Sequence, residues 1–487
     1  LEETQGRSKA QTIGLILGPV LALLIGLIPP PDGLSVEGLR VGALLVWMAV
    51  WWSTEAIPIP ATSLLPIVAL PLIGAASPSQ AAEAYFSTTV GLLFGGFVVA
   101  MGIERWNLHK RIALNIVAVS GDRLRLITAG FMVASALISA WISNTATTIM
   151  MVPIALSVAA STGDADGRFG KSLLLGICYA CSIGGMATPI GTPTNLIARD
   201  WLTENAGASI GFLEWMMFGI PAVILIVPVA WYVVTRGMPA HADGKSDGNS
   251  AQDAVRDALR SLGQITVQER RVAAVFGLVA SLWVLRVPAQ KFGLDSVPGF
   301  SWVDSVTDMG IAVFGAVLAF LIPAGGKEKR ALLNWEEAEK LPWGVLLLFG
   351  GGISLGRAVG QTGLSEWIGN EMNILAGLPV ILIVLVAVAL VVYLTEVTSN
   401  VAMMTTLAPI LGAFAVGLGM APESLLGPAA LAASCAFMLP VATAPNAIVY
   451  ASGKVAMSDM IKAGFWINVG AVIIITLIGT YLAPLAL

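Results

Sequence analysis

Histidine is nearly absent from this chain. His109 and His241 are the only two in 487 residues, and Cys178, Cys181 and Cys435 are the only thiols. A transition-metal centre has little to be built from. The Cys178-x-x-Cys181 pair, which elsewhere suggests redox or metal chemistry, reads here as two small packing residues on an apolar helix. Charge is scarce as well: 11% of residues are charged, against about 25% in an ordinary soluble domain. No Lys/Arg-rich block offers a footprint for nucleic acid. A net charge of −4 is spread over two faces of a membrane and says little about partners.

What the chain has is hydrophobicity, 56% of its residues. A bilayer core takes roughly 20 apolar residues per helix, and such runs recur throughout. Charged or Pro/Gly-rich breaks delimit spans at 12–28, 38–56, 59–75, 88–105, 172–199, 212–235, 270–287, 305–323, 343–360, 424–452 and 463–485. The first follows Arg7 and Lys9 as a signal peptide would, but no small-residue cleavage site follows it, so it is taken as a span. Two further apolar stretches, 124–160 and 377–416, are too long for one helix, and a polar cluster interrupts each. They read as re-entrant hairpins.

The expected fold is therefore an all-α polytopic membrane protein with about 11 transmembrane helices plus two re-entrant hairpins. With the N-terminus in the cytoplasm and the C-terminus outside, only Arg40, Arg199, Arg286 and Lys291 of the 26 Lys and Arg fall outside, and Arg357 falls within a span. That bias agrees with the positive-inside rule. It opens one hairpin to the cytoplasm and the other to the exterior.

The chain also repeats itself. Phe94-Gly95-Gly96 matches Phe349-Gly350-Gly351, Ser143-Asn144 matches Ser399-Asn400, and Pro189, Thr192 and Asn195 match Pro440, Thr443 and Asn446. Because the hairpins open to opposite sides, the repeats are inverted, a construction typical of secondary transporters. The expected organisation is N-terminal helices in 1–75, a first repeat in 76–236, a cytoplasmic linker in 237–269, a second repeat in 270–455 and a C-terminal helix in 456–487.

Polar residues at membrane depth mark substrate or ion paths. They cluster at Ser139 to Thr148, at Thr188 to Asn195, at Thr395 to Asn400 and at Thr443 to Asn446. Pro and Gly there free backbone carbonyls, which with Ser, Thr and Asn oxygens suit a hard cation such as sodium. The same breaks create helix N-termini, which favour an anion. No Lys or Arg sits beside the hairpin tips, so cations or helix ends must neutralise a bound carboxylate. Glu396 is left as an ion ligand or a structural partner. Arg357 and Glu104 are read as interfacial or snorkelling residues, Trp51, Trp52, Trp106 and Trp215 as interfacial anchors, and the paired glycines as close-packing positions. Neither histidine lies near these clusters, which disfavours a membrane enzyme.

These residues resemble the divalent anion:sodium symporter family, the INDY-type di- and tricarboxylate transporters. The resemblance rests on Trp52-Ser-Thr-Glu55-Ala-Ile-Pro58, Ile142-Ser-Asn-Thr-Ala-Thr147, Thr188-Pro-Ile-Gly-Thr-Pro193, Thr395-Glu-Val-Thr-Ser-Asn400 and the run from Cys435 to Ala447. It implies sodium-coupled symport of succinate-, malate-, fumarate- or citrate-class anions. It also implies a homodimer in a bacterial inner membrane, working as an elevator with residues 1–75 in the scaffold. Two or more sodium ions are implied, one held by Ser139, Ser143, Asn144 and Gly191 and another by Thr395, Thr398, Asn400 and Ala442. The substrate would meet Asn144, Thr145, Thr192, Asn400, Val401 and Thr443. Val401 stands where many members carry Thr, which leaves the choice of anion open, and Thr194 stands where many carry Pro. A sodium-independent exchanger and a symporter of another divalent anion such as sulfate are the alternatives.

Overall fold

The computed structural model describes residues 7–121, 123–162, 167–207, 210–238, 251–292, 305–371 and 377–487. The opening residues 1–6 and part of the expected linker, 239–250, lie outside them.

The chain begins with α1 (Lys9–Leu27), α2 (Val36–Thr54), α3 (Ile59–Thr62), α4 (Leu65–Leu72), α5 (Pro78–Glu83) and α6 (Thr88–Arg105). Ser8, Ser35 and Ser87 cap α1, α2 and α6 by accepting a backbone N–H of the first turn, which supplies a partner to one of the orphan donors at each helix start. Only Gly14 and Gly18 of α1 are buried, so most of this helix faces outward. The expected span at 59–75 is instead two short helices. Pro60, Pro66 and Pro71 remove ladder donors at close intervals, and the backbone turns at Ser63 and Leu64.

The first repeat continues with α7 (Leu108–Ala118), α8 (Leu124–Ser139), α9 (Asn144–Ser161), α10 (Arg168–Gly184), α11 (Pro193–Ala206) and α12 (Phe212–Thr235). Helix α13 (Ala251–Ser261) is the amphipathic piece of the linker. The second half comprises α14 (Val267–Lys291), α15 (Asp308–Leu321), strands β1 (Pro323–Gly325) and β2 (Glu328–Ala331), α16 (Trp335–Ala338), α17 (Trp343–Gln361) and α18 (Leu364–Glu371). It ends with α19 (Val380–Leu394), α20 (Asn400–Gly417), α21 (Glu423–Ala433), α22 (Ala444–Ala451), α23 (Met457–Tyr481) and α24 (Ala483–Ala486). The antiparallel pair β1–β2 is an addition to the all-α expectation; its positive-φ Gly325 and Gly326 carry the turn.

Among the described residues nine helices are long and apolar enough to cross a membrane. Both hairpins form, as α8–α9 and α19–α20, and both expected broken spans are broken, as α10–α11 and α21–α22. The paired glycines serve close packing: a Cβ on Gly95 would stand 2.4 Å from the backbone of Ala312, and one on Gly351 2.3 Å from Ser63 O. Two tryptophans differ from expectation. Trp52 and Trp215 are buried at 1% and 0% exposure, because Ser63 Oγ and Met186 O accept their indole N–H groups at 3.1 and 3.2 Å. A buried partner for the indole donor removes its reason to seek the interface.

At one end of the bundle Glu337 accepts from Arg105 Nε at 2.6 Å, from the Asn334 amide at 3.0 Å and from Arg330. Burial pushes this carboxyl up, but the bonds from Arg330, Asn334 and Arg105 together bring it down to about 2. A depressed carboxyl contributes stability that is present above its unfolded value and lost as pH falls through the folded one. Glu337→Gln should therefore lower the melting temperature in detergent at neutral pH. It should also flatten the loss of stability between the ordinary value of 4.5 and about 2, as thermal unfolding across that pH range will show.

Candidate functional site

Each hairpin tip is built the same way. The turn leaves the helix at Ser143 or Ser399, whose hydroxyl accepts the amide of Ala146 or Ala402 and so restarts the helix at Asn144 or Asn400. Ser139 at the end of α8 donates to Asn144 Oδ1 at 2.5 Å, and Thr395 at the end of α19 lies 2.6 Å from Asn400 Oδ1 and 3.0 Å from Ala433 O. These bonds fix the amide side chain that faces the neighbouring break. Thr398, expected as an ion ligand, donates its hydroxyl to Leu394 O at 2.9 Å, leaving only lone pairs for an ion.

The breaks are held open by a matched pair of asparagines, which the sequence offers both as repeat markers and as members of the polar clusters. Asn195 Nδ2 donates to Gly185 O at 2.9 Å and Thr188 O at 2.8 Å. Asn446 Nδ2 donates to Ala436 O at 2.9 Å and Leu439 O at 2.8 Å. The same bonds recur at corresponding positions, so the repeat extends to the bracing of the irregular backbone. Both asparagines are fully buried. Without them those carbonyls would lack partners in a medium that supplies none.

Glu396 resolves as a structural partner. Its carboxylate accepts the amides of Phe437 at 2.8 Å, Met438 at 3.0 Å and Leu439 at 3.1 Å, and Asn468 Nδ2 at 2.7 Å. It ties the second tip to the break after α21. In the first half Ala140 stands at that place, and the Thr188 hydroxyl donates to its carbonyl. Cys178 is more than a packing residue, since its thiol donates to Asn446 Oδ1 at 2.8 Å. Asn195 Oδ1 has no such partner.

Beside the first tip the oxygens of Ala140, Asn144, Gly185 and Gly191 crowd one space. A Cβ on Gly185 would stand 2.8 Å from Asn144 Oδ1 and 3.1 Å from Gly191 O. One on Gly191 would stand 2.5 Å from Gly185 O and 3.0 Å from Ala140 O. Such a cradle of oxygens without a side chain fits a hard cation. Alanines, Ala436 and Ala442, stand at the corresponding positions of the second half, so the two cradles differ. Gly185 forms a pair with Gly184 like the other paired glycines, and only the fold shows that it faces Asn144 and Gly191.

A cavity of about 850 Å³ joins these parts. Its wall includes Ser143, Asn144 and Thr145 of one tip, Thr398, Asn400 and Val401 of the other, and Gly191, Thr192, Ala442 and Thr443 of the breaks. Ser139 and Thr395 lie buried behind it. Helices α9, α11, α20 and α22 all begin at this cavity, at Asn144, Pro193, Asn400 and Ala444. Amides in the first turn of a helix have no helical acceptor, so the cavity gathers four partial positive ends. Its size lies within the range of about 300–1,000 Å³ usual for small-molecule sites. Glu55, Glu104 and Lys340 stand elsewhere on its wall.

The chain matches the family described as the sodium:sulfate symporter transmembrane region over residues 9–487. It is 42% identical over 494 residues to the sodium-dependent dicarboxylate transporter SdcS of Staphylococcus aureus, with 99% of this chain and 92% of that protein covered. To the protein of the same name from Staphylococcus saprophyticus it is 39% identical over 493 residues, covering 99% and 93%. The crystal structure of the Alcanivorax borkumensis YdaH transporter aligns with a TM-score of 0.53 over 97% of this chain and 96% of that one, at 15% identity. That last likeness concerns the fold alone.

Gly185→Ala should diminish the stabilisation that sodium chloride gives over choline chloride in a thermal-unfolding assay, by filling the oxygen cradle beside the first tip. An undiminished sodium-specific shift in a folded Gly185→Ala protein would remove the cradle from ion binding.

Proposed function

Because this chain belongs to the family of the sodium:sulfate symporter transmembrane region, we propose that it is a secondary transporter carrying dicarboxylate anions across a membrane together with sodium ions. Two relatives spanning nearly the whole chain bear the name sodium-dependent dicarboxylate transporter. The observation that carries the reading is the single cavity on which four helix N-termini open, with an oxygen cradle beside it.

In this mechanism Asn144, Thr145 and Thr192 meet one carboxylate, and Asn400, Val401 and Thr443 meet the other. Sodium ions sit behind them, one on Ser139, Ser143, Asn144 and Gly191 and one on Thr395, Thr398, Asn400 and Ala442. No lysine or arginine stands at either tip, so the cations add whole positive charges to the partial ones of the helix ends. A pair of opposite charges about 4 Å apart attracts by about 4 kcal/mol at an effective dielectric of 20, or roughly three decades of affinity. That magnitude is enough to make anion binding depend on sodium. Val401 gives one carboxylate an apolar neighbour where Thr145 gives the other a hydroxyl, so the two ends of a substrate are not equivalent. Sulfate, which the family description names, is the second reading. Its single compact centre would use the short distance between helix ends rather than the length of the cavity.

The wall bearing Ser8, Glu55, Glu104 and Lys340 lies on the side that the Lys/Arg bias assigns to the cytoplasm, so the proposed state is open inward. The opposite side is closed along α11. Asp200 accepts from Thr89 at 2.6 Å, Arg199 pairs with Asp308 at 2.7 Å, and Arg286 joins that carboxylate at 3.1 Å. Arg357 grips Glu204 through both carboxylate oxygens at 2.9 and 3.1 Å, a partnered role rather than a snorkelling one. Along the same seam Gly352 and Gly360 of α17 press against Thr405 and Asn205, where a Cβ would come to 2.5 and 2.7 Å. In an elevator the hairpins, broken spans, α12 and α23 move against the other long helices, and the latter carry the contact of a homodimer.

Succinate uptake into proteoliposomes should require an inward sodium gradient, and Asn144→Ala and Asn400→Ala should each reduce it at least about tenfold while the protein stays folded. Uptake indifferent to sodium sinks the coupling, and a competition panel containing sulfate decides between anions. Arg357→Gln should loosen the closed side, read as faster hydrogen exchange in residues 193–206 with little change in α23. Equal exchange in both proteins would mean that the Arg357–Glu204 pair does not hold this seam.

A further inference from the structure

We propose that the cleft between α10, α12 and α23 at the cytoplasmic end binds the phosphate headgroup of an anionic phospholipid. The cleft has a volume of about 440 Å³ and receives Arg168 and Lys171 from α10, Arg236 from the end of α12 and Lys462 from α23. One acid lines it, Asp459, and this is already engaged with Lys171 at 2.7 Å. Among the described residues Arg236 and Lys462 make no ion pair, and both are exposed. Cations drawn from three separate helices around one concavity differ from a solvated row along one helix face. They converge where a compact dianion or monoanion could meet several at once.

Two further features point to a lipid rather than to a free anion. Tyr232 and Trp466 line the same cleft and are 61% and 60% exposed. An exposed ring pair of this kind sits at the level of headgroups, apolar body toward the chains and polar tip toward water. Leu225 on α12, with Ile473 and Leu477 on α23, continues the exposed apolar surface away from the cleft, as acyl chains below a bound phosphate would need. Basic pockets between transmembrane helices on the cytoplasmic side are suited to such headgroups.

The test uses the purified full chain in a neutral detergent, with phosphatidylglycerol, phosphatidylcholine or inorganic phosphate added in parallel and the melting temperature read in each. Phosphatidylglycerol should raise it, and the other two should not. Arg236→Ala combined with Lys462→Ala should lose more than about half of that rise while keeping the parent melting temperature in phosphatidylcholine and sodium-driven uptake in phosphatidylcholine vesicles. Trp466→Leu, which keeps every charge, should lose part of the phosphatidylglycerol shift and serves if the double variant does not fold. An equal rise with inorganic phosphate would make this a soluble-anion site and overturn the proposal. So would an undiminished phosphatidylglycerol shift in the folded variants.

Discussion

Irregular backbone inside a bilayer must find its own hydrogen-bond partners, and every other feature of the site depends on how this chain provides them. The breaks at Thr188 to Thr192 and Leu439 to Thr443 leave carbonyls and amides without helical partners inside an apolar bundle. Asn195 and Asn446 each take two of the carbonyls, and Glu396 takes three of the amides. Gly191, Thr192, Ala442 and Thr443 of the same breaks are left on the wall of the cavity. Selective satisfaction converts a structural liability into a binding surface.

The two halves solve this problem with different means. The second break leans on a buried carboxylate, an asparagine from α23 and the Cys178 thiol, which crosses from the first repeat. The first leans on the Thr188 hydroxyl and on glycine backbone at Gly185 and Gly191. The symmetry is thus one of hydrogen-bond geometry rather than of residue identity. A cradle lined by glycine and one lined by alanine need not hold their ions with equal strength.

Much of this was legible in the sequence because membranes simplify the alphabet. A polar cluster such as Ser143-Asn144-Thr145 stands out against an apolar run, and its echo at Ser399-Asn400 gives the hairpins, the broken spans and the cavity-lining residues. Positions whose role depends on distant partners were not legible. Trp52 and Trp215 have the composition of interfacial anchors, but their indole donors find Ser63 and Met186 inside the bundle. Gly185 carries no chemistry until Asn144 and Gly191 are brought beside it. The prolines of 59–75 were visible, but an apolar window of that length scores as one span whether or not its ladder is interrupted.

The glycines of α17 at the closed seam carry one more implication. Helices normally grip each other by setting ridges of side chains into grooves, and displacing such a contact means lifting each ridge out of its notch. At Gly352 and Gly360 the ridge is missing, and Thr405 and Asn205 rest against bare backbone. A surface of that kind has little friction along its length: grip comes from the ionic clasps at its end, and once those are undone, few side chains need repacking for the neighbours to glide.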